Sequence, residues 1–163
     1  MKLNSNFYNR SAIIVAQELL GKAIVCNNNK FMITETECYV GEQDTACHAR
    51  FGKTARNSVM YENGGLLYVY LCYGIHNLLN IVTGSKHFPE AVLIRGVKGF
   101  PGPGRVTKAI GIDRSWNRES LLSSPRIWLK DEGTAPEYDS MPRIGIDYAT
   151  PEYRDKLWRF VMK

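Results

Sequence analysis

Strand-like segments recur along this chain with few helices between them, and this pattern limits most strongly the folds that it can adopt. The clearest pair is Leu66 to Cys72 (LLYVYLC) and Asn77 to Thr83 (NLLNIVT), separated by Tyr73-Gly74-Ile75-His76. Runs of β-branched and aromatic residues on both sides of a short turn are typical of a β-hairpin. Because strands and helices do not alternate regularly, the sequence predicts an α+β fold with a curved, mostly antiparallel sheet and flanking helices.

The remaining elements follow from shorter patterns. Two helices are predicted at Ser11 to Leu20, which stops at Gly21, and at Arg105 to Ile110, with Pro103 near its start. Asn27 to Lys30 predicts a polar turn, and Asp44 to Met60 predicts a long surface loop with one helical turn. Since no repeat or linker interrupts the chain, we expect residues 1 to 163 to form a single domain. Further strands are predicted at Ala23 to Val25, Phe31 to Tyr39, Ala91 to Arg95, Ile127 to Leu129, Arg143 to Ile146 and Trp158 to Met162.

Composition restricts the environment and the partners. Lys and Arg number 21 against 16 Asp and Glu, and the resulting charge of +5 favours a polyanionic partner such as nucleic acid. No signal peptide or membrane-length apolar run is recognisable, so an intracellular protein is expected, either cytoplasmic and associated with the nucleoid or nuclear. The cysteines show no C-x-x-C spacing, which argues against a zinc site or a redox pair. They are Cys26, Cys38, Cys47 and Cys72.

Several enzyme classes are excluded by missing motifs. The histidines, His48, His76 and His87, do not occur in the H-x-E and P-C-x-x-C pattern of zinc base deaminases. Neither a G-x-x-x-x-G-K-[ST] phosphate loop nor a G-x-S-x-G nucleophile elbow is present.

Two carboxylates and an aromatic residue share one side of a predicted strand. Glu35, Glu37 and Tyr39 have the same parity, so a regular strand directs them to one face. This arrangement can place a base beside a stacking surface. A solvent-facing strand with alternating polar side chains is the simpler explanation of the segment taken alone.

Tyrosines mark the hairpin. Tyr68 and Tyr70 share a parity, and core packing is the simpler explanation of the pair, because tyrosine is common in half-buried strands. Tyr73, beside Gly74 at the predicted tip, can bury little of its own domain. It is either a wedge that enters a base stack or a turn residue folded back on the hairpin.

Polar residues in apolar surroundings need partners. Asn80 lies inside an apolar strand and either bonds the backbone or reads the edge of a ligand. Arg95 ends the run AVLIR, where a carboxylate or a phosphate is the natural partner. Arg105 and Lys108 lie one helical turn apart after a glycine-rich segment, and form either a phosphate-binding site or a solvated basic face.

Taken together, these segments resemble the alkyladenine (3-methyladenine) DNA glycosylase family. The resemblance is sharpest at ETECYVGEQDTACHA (Glu35 to Ala49) and at LYVYLCYGIHNLLNIV (Leu67 to Val82). The matched segments occur in family order and extend nearly from end to end. The others are Phe7-Tyr8, Leu19-Leu20-Gly21, Ala55-Arg56-Asn57, VLIRG (Val92 to Gly96), GPGRVTKAIGI (Gly102 to Ile112) and RIGI (Arg143 to Ile146).

The resemblance implies roles for individual residues. Glu37 corresponds to the base that activates water, and Arg95 would lie beside it and favour its ionised form. Tyr73 corresponds to the wedge that fills the gap left in the duplex, and Asn80 to the residue on the minor-groove edge of the purine. The residues that enclose the flipped base would be Tyr39, His48 and Tyr70, with His48 also hydrogen-bonding its edge.

The expected activity is hydrolysis of the N-glycosidic bond of 3-methyladenine in double-stranded DNA, by a monomer that needs no metal or cofactor. No lysine is placed to form a Schiff base, so no strand-cleaving step is expected. A non-catalytic reader of damaged bases and an RNA-binding module remain alternatives. The chain departs from the family between Arg95 and Gly102, where only six residues intervene instead of a longer segment.

Overall fold

Nine strands form one curled antiparallel sheet in the computed structural model of the protein, which describes residues 1–163. This confirms the predicted α+β class. The strands are β1 Ala23–Cys26, β2 Asn29–Val40, β3 Leu67–Cys72, β4 His76–Val82, β5 Glu90–Val97, β6 Phe100–Pro101, β7 Ile127–Lys130, β8 Tyr138–Met141 and β9 Arg159–Met162. The helices are α1 Ser5–Tyr8, α2 Ala12–Glu18, α3 Pro103–Ile110 and α4 Pro151–Arg154, with 3₁₀ turns at Ser58–Tyr61 and Arg114–Trp116.

Two hairpins organise the sheet, whose main order is β3-β4-β5-β2-β1-β7. Asn27 and Asn28 join β1 to β2 with φ angles of 49° and 68°, values that suit a two-residue type I′ turn and that asparagine tolerates. The predicted polar turn is therefore shorter than expected, because Asn29 and Lys30 already pair in β2. The second hairpin, β3–β4, is the one that the sequence predicted most clearly.

One face of the central strands carries the main hydrophobic core. Leu67, Leu79, Val92 and Ile94 are at most 1% exposed and pack in one cluster with residues of α2 and α3. Alternation of apolar and polar residues along β3, β4 and β5 directs these aliphatic side chains to the helices. None of the helices has the length and apolar content that crossing a membrane requires.

Two sequence predictions need correction. Arg143 to Ile146 is not a strand but an irregular segment, and its Ile144 amide donates a hydrogen bond to a side chain instead of to a neighbouring strand. The loop Asp44 to Met60 contains the predicted helical turn but is not a surface loop. Asp44, Cys47 and Met60 are buried, because the loop packs on the sheet face opposite the main core. The strand β8 and the short helices α1 and α4 were not predicted.

The short interval between Arg95 and Gly102 is closed by a hairpin. Val97 pairs with Phe100, and the turn between them contains Gly99 in the left-handed region. The chain then enters α3 directly, which places the first turn of this helix beside β4 and β5.

Candidate active site

A row of side chains crosses the centre of the sheet. Glu37 on β2 lies opposite Leu93 on β5, and Leu93 lies opposite Asn80 on β4. Asn80 in turn lies opposite Tyr68 on β3. Because directly opposed residues project to the same face, four strands place a carboxylate, an amide and a phenol side by side. This face is the one opposite the main core.

The row borders a cavity of about 560 Å³, which is lined also by the 41–66 loop, the 142–149 segment and the first turn of α3. Glu37 lies beneath the lining and is 0% exposed, and Lys108 lies outside it. The other predicted site residues all line the cavity: Tyr39, His48, Tyr70, Tyr73, Asn80, Arg95 and Arg105.

The Glu37 carboxylate is held by three donors. Its Oε1 accepts a hydrogen bond from the Tyr39 hydroxyl at 2.8 Å. Its Oε2 accepts the Ile144 backbone amide at 2.9 Å and lies 3.1 Å from Arg95 Nη1. These contacts contradict the simpler sequence interpretation, a solvent-facing strand of alternating polar residues.

The two strands are irregular beside Arg95. Pairing between β2 and β5 skips Thr34 and then Arg95, so each strand carries an extra residue. Such bulges redirect side chains and are common beside active sites. The guanidinium also donates from Nε to Glu35 Oε2 at 3.2 Å, so Arg95 bridges two carboxylates. Of the two partners considered from the sequence, the structure provides the carboxylate.

Burial controls the protonation of the site. It raises the pKa of Glu37 above that of an ordinary glutamate, although Arg95, the Ile144 amide and the Tyr39 hydroxyl lower it in part. The expectation that Arg95 favours ionisation therefore holds in direction, but burial outweighs it. Burial also lowers the pKa of His48 to about 4, so the imidazole is neutral at pH 7.

An aromatic cluster forms one side of the cavity. The rings of His48 and Tyr70 have centroids 4.4 Å apart, and His48 Nδ1 lies 2.9 Å from the Tyr68 hydroxyl. Asn57 fixes the loop by donating from Nδ2 to the carbonyls of His48 and Gly52 at 3.0 and 3.1 Å. The loop is thereby shaped so that His48 meets the tyrosines of β3.

Asn80 is 3% exposed and is anchored to the sheet. Its Nδ2 donates to the Tyr68 carbonyl at 3.3 Å, and its side chain also lines the cavity. The structural bond considered from the sequence is thus present, and it leaves the amide at the cavity surface.

The tip of the β3–β4 hairpin projects into solvent. Tyr73 has a φ of 52° and is 87% exposed, so it is not folded back on the hairpin. Ile75, which sequence reasoning did not single out, is 72% exposed at the same tip. Two exposed apolar side chains beside a cavity are suited to contact a partner.

Arg105 and Lys108 are exposed on α3, and neither forms an ion pair. The Thr107 hydroxyl donates to the Asn77 carbonyl at 2.7 Å and so ties this helix to the hairpin. The helix that carries the two cations is therefore anchored to the hairpin that carries Tyr73. Their contact with phosphate stays a prediction.

Sequence reasoning missed part of the site. Ile144 contributes its backbone amide, and Tyr148 lines the cavity two residues after the segment predicted as a strand. Asp44 and Arg143 form a buried ion pair behind Tyr39. The family-like segments that contain them, at Glu35 to Ala49 and RIGI, were the only signals. No group of three or more His, Cys, Asp or Glu side chains is arranged to hold a metal ion.

Comparisons with known proteins identify the family of this chain. The sequence model of the methylpurine-DNA glycosylase (MPG) family matches residues 6–100 and 98–163. The two matches meet within the short interval between Arg95 and Gly102. A protein of Natranaerobius thermophilus is 39% identical over 191 aligned residues, which cover 100% of this chain and 96% of that protein.

Two further relatives are similarly close in sequence. The protein of Wolbachia pipientis wMel is 42% identical, over 97% of this chain and 89% of its own length. That of Rickettsia africae is 41% identical, over 96% of this chain and 87% of its own length. All three relatives bear the name "Putative 3-methyladenine DNA glycosylase". The family match and these identities show that this chain belongs to the methylpurine-DNA glycosylase family.

Proposed function

We propose that this protein is a monofunctional DNA glycosylase that hydrolyses the N-glycosidic bond of alkylated purines, 3-methyladenine in particular, flipped out of double-stranded DNA. This is the first step of base excision repair. The observation that carries the proposal is the buried Glu37 carboxylate, fixed by Arg95, Tyr39 and the Ile144 amide at the edge of the aromatic cavity.

The aromatic lining selects the base. Alkylation at N3 or N7 leaves a purine cationic, and a cation over an aromatic face gains about 0.5–2 kcal/mol. Stacking adds about 1–3 kcal/mol per base, which offsets the few kcal/mol needed to extrude a damaged nucleotide. His48 contributes as a neutral ring that does not repel the cation, and its second nitrogen can bond the edge of the base.

The carboxylate then directs water to the sugar. Glu37 Oε2 accepts a hydrogen bond from the Ile144 amide and is also paired with Arg95, whereas Oε1 accepts one hydrogen bond, from Tyr39. Since a carboxylate oxygen accepts two bonds, Oε1 keeps one position for the attacking water. Ionised Glu37 takes the proton of this water and stabilises the oxocarbenium-like charge on the sugar as the C–N bond breaks.

A strand-cleaving step has no nucleophile in the proposed site. No lysine is among the residues that line the cavity, so no side-chain amine can form a Schiff base with the sugar. The product of the reaction is therefore a free purine and an intact abasic strand.

Double-stranded DNA is the proposed partner, bound by a monomer. Tyr73 enters the gap left by the flipped nucleotide, and Arg105 and Lys108 contact phosphates on the same side of the protein. The protein then acts where the DNA is, at the nucleoid in the cytoplasm or in the nucleus.

Release of free 3-methyladenine from methylated duplex DNA is the direct test, with EDTA present throughout. We expect base release and unbroken strands until alkali is added. Lesion binding without release would favour a non-catalytic reader, and equal binding to undamaged RNA would favour an RNA-binding module. Loss of activity in EDTA with recovery on adding zinc or magnesium would contradict the metal-free mechanism.

The proposed wedge is tested by Tyr73→Ala. A side chain that fills the vacated space stabilises only the extruded state of a duplex. Excision from duplex DNA should therefore fall about tenfold, roughly one lost stacking contact, while excision from single-stranded methylated DNA changes little. An equal loss on both substrates would mean that Tyr73 supports the fold instead.

A further inference from the structure

A second arginine–carboxylate pair lies behind the cavity and has no role in the reaction as described above. Arg143 and Asp44 are both fully buried and pair through two parallel contacts, Nη1 to Oδ2 at 2.7 Å and Nη2 to Oδ1 at 3.0 Å. A paired fork of this kind fixes both partners in angle as well as in distance. The pair joins positions 99 residues apart in the chain.

The same side chains bind the backbone around them. Arg143 donates to the carbonyls of Cys38 at 3.1 Å and Tyr153 at 3.0 Å. Asp44 accepts the amides of Val40 and Ala46, each at 3.0 Å. The end of β2, the following loop and α4 are therefore all tied to one buried ion pair.

These tied segments carry the groups of the candidate active site. Tyr39 lies between Cys38 and Val40, whose backbone groups are both held by the pair. Ile144, the residue after Arg143, donates its amide to Glu37 Oε2 at 2.9 Å. The Arg143 guanidinium also lies 5.1 Å from the centroid of the Tyr39 ring, which leaves the other face of that ring for a base.

We propose that Arg143 and Asp44 are positioning residues for this reaction: they hold the Tyr39 ring and the Ile144 amide against Glu37 without contacting DNA. The inference rests on the proposed function, since it assigns the pair to the same site. It differs from a purely structural role, because it requires that the pair govern the ionisation of Glu37 as well as the stability of the fold.

Other titratable and charged groups face Glu37 and also affect its pKa, so a test of the pair must take them into account. They come from β2, β3, β5, β9 and the 142–149 segment, and all except Arg143 remain unchanged when the fork is altered. These groups are Glu35 and Tyr39, Tyr70, Arg95, Arg159 and Arg143.

Two conservative variants test the contributions of the two partners separately. Arg143→Lys keeps the charge but cannot make the paired contact with Asp44, and Asp44→Asn keeps the shape but removes the negative charge. Leu129→Ala is the matched control, because Leu129 is 1% exposed on β7 and belongs to the main core, away from the cavity. Its thermal destabilisation is compared with that of the two variants.

The readouts are single-turnover excision as a function of pH and a titration of the Glu37 carboxyl by ¹³C NMR, assigned with Glu37→Gln. Loosening the Ile144 amide should raise the pKa of Glu37 and move the acid limb of excision to higher pH. Excision at the pH plateau should fall about tenfold or more, as misplacement of reacting groups commonly does. Leu129→Ala should lower only the melting temperature.

Each outcome decides the matter. If both variants melt earlier but keep the wild-type Glu37 titration and acid limb, the pair is structural only and the inference is wrong. If one variant does not fold, the other carries the test. If the wild-type protein releases no base, the proposed function fails, but the NMR titration still shows whether the pair governs Glu37.

Discussion

The two faces of the four central strands differ sharply, although the same strands form both. On the core face, Val69, Leu79 and Ile94 are buried among aliphatic neighbours and make no polar contact through their side chains. On the cavity face, Glu37, Asn80 and Arg95 each make polar contacts through their side chains.

This difference assigns stability and chemistry to alternate residues of one sheet. The apolar face gains free energy in proportion to buried area and tolerates no charge. On the cavity face, burying the Glu37 carboxylate costs part of that free energy, and the burial raises the pKa of this group. Rigid strands, fixed from behind by the core, keep the reacting groups in place.

The largest effect is expected from Glu37→Gln on the cavity face. Loss of a general base costs about 10²–10⁴-fold in rate, so turnover should nearly disappear while affinity for lesion DNA is retained. The melting temperature should not fall, because a neutral amide is easier to bury than a carboxylate. Single-turnover excision and lesion binding, measured side by side, check this.

Glu35→Gln is the matched control for that variant, since Glu35 also binds Arg95 but is partly exposed. It should retain most of the activity. If Glu37→Gln still excises within a few-fold of the wild type and Glu35→Gln does not, the roles of the two carboxylates are exchanged.

A substitution on the core face should instead reduce stability and leave activity nearly unchanged. Ile94 is 0% exposed and directly precedes Arg95 in β5, and truncating a buried isoleucine to alanine typically costs about 2–5 kcal/mol of unfolding free energy. For Ile94→Ala we expect a clearly lower melting temperature but nearly unchanged excision well below it. Denaturant unfolding and excision at low temperature test this. A large loss of activity in the folded protein would show that the two faces are coupled.

The division into two faces could largely be predicted from the sequence. Alternation places Tyr68 and Tyr70 on one side of β3 and Leu67 and Val69 on the other, and the hairpin follows from local turn chemistry. The resemblance of ETECY and YVYLCYG to a known family then indicated which face carries the chemistry. The motifs involved are continuous in the chain, so the resemblance could identify this face even though each segment taken alone favoured a structural explanation.

Long-range geometry was not predictable in the same way. The bulge beside Arg95 depends on how β2 pairs with β5, and neither strand's sequence alone determines that register. The Ile144 amide carries no side-chain signal, and the apolar run RIGI predicted a strand. Arg143 was hidden for the same reason, because its partner Asp44 lies 99 residues away.

A smaller effect on the cavity face is expected from Asn80→Ser. Guanine differs from adenine by a 2-amino group on the minor-groove edge, and an amide anchored to the Tyr68 carbonyl has little room to retreat from it. The shorter serine should therefore increase excision of guanine lesions, while excision of 3-methyladenine is kept. The ratio of 7-methylguanine to 3-methyladenine release, together with the melting temperature, is the measurement.

Two other results for this variant would be informative. If the ratio is unchanged while the melting temperature and all rates fall, Asn80 only ties the strands together. If excision of guanine lesions falls selectively, its amide oxygen accepts a hydrogen bond from the 2-amino group, and the residue attracts guanine instead of excluding it.

The smallest effect is expected on α3, which, like the sheet, has two different faces. Val106 and Ile110 enter the main core, whereas Arg105 and Lys108 are exposed without ion-pair partners. Each phosphate contact releases counterions and contributes about −0.9 to the slope of log K against log salt. Arg105→Ala or Lys108→Ala should each flatten this slope by about one, with little change in the excision rate at saturating enzyme.

Lys130→Ala, on the edge strand β7 away from the cavity, should leave the slope unchanged. Binding of lesion duplex at several salt concentrations tests all three variants. If the slopes of the α3 variants match that of Lys130→Ala, the exposed face of α3 is a solvated surface, and DNA binding depends on the hairpin tip and the cavity face alone.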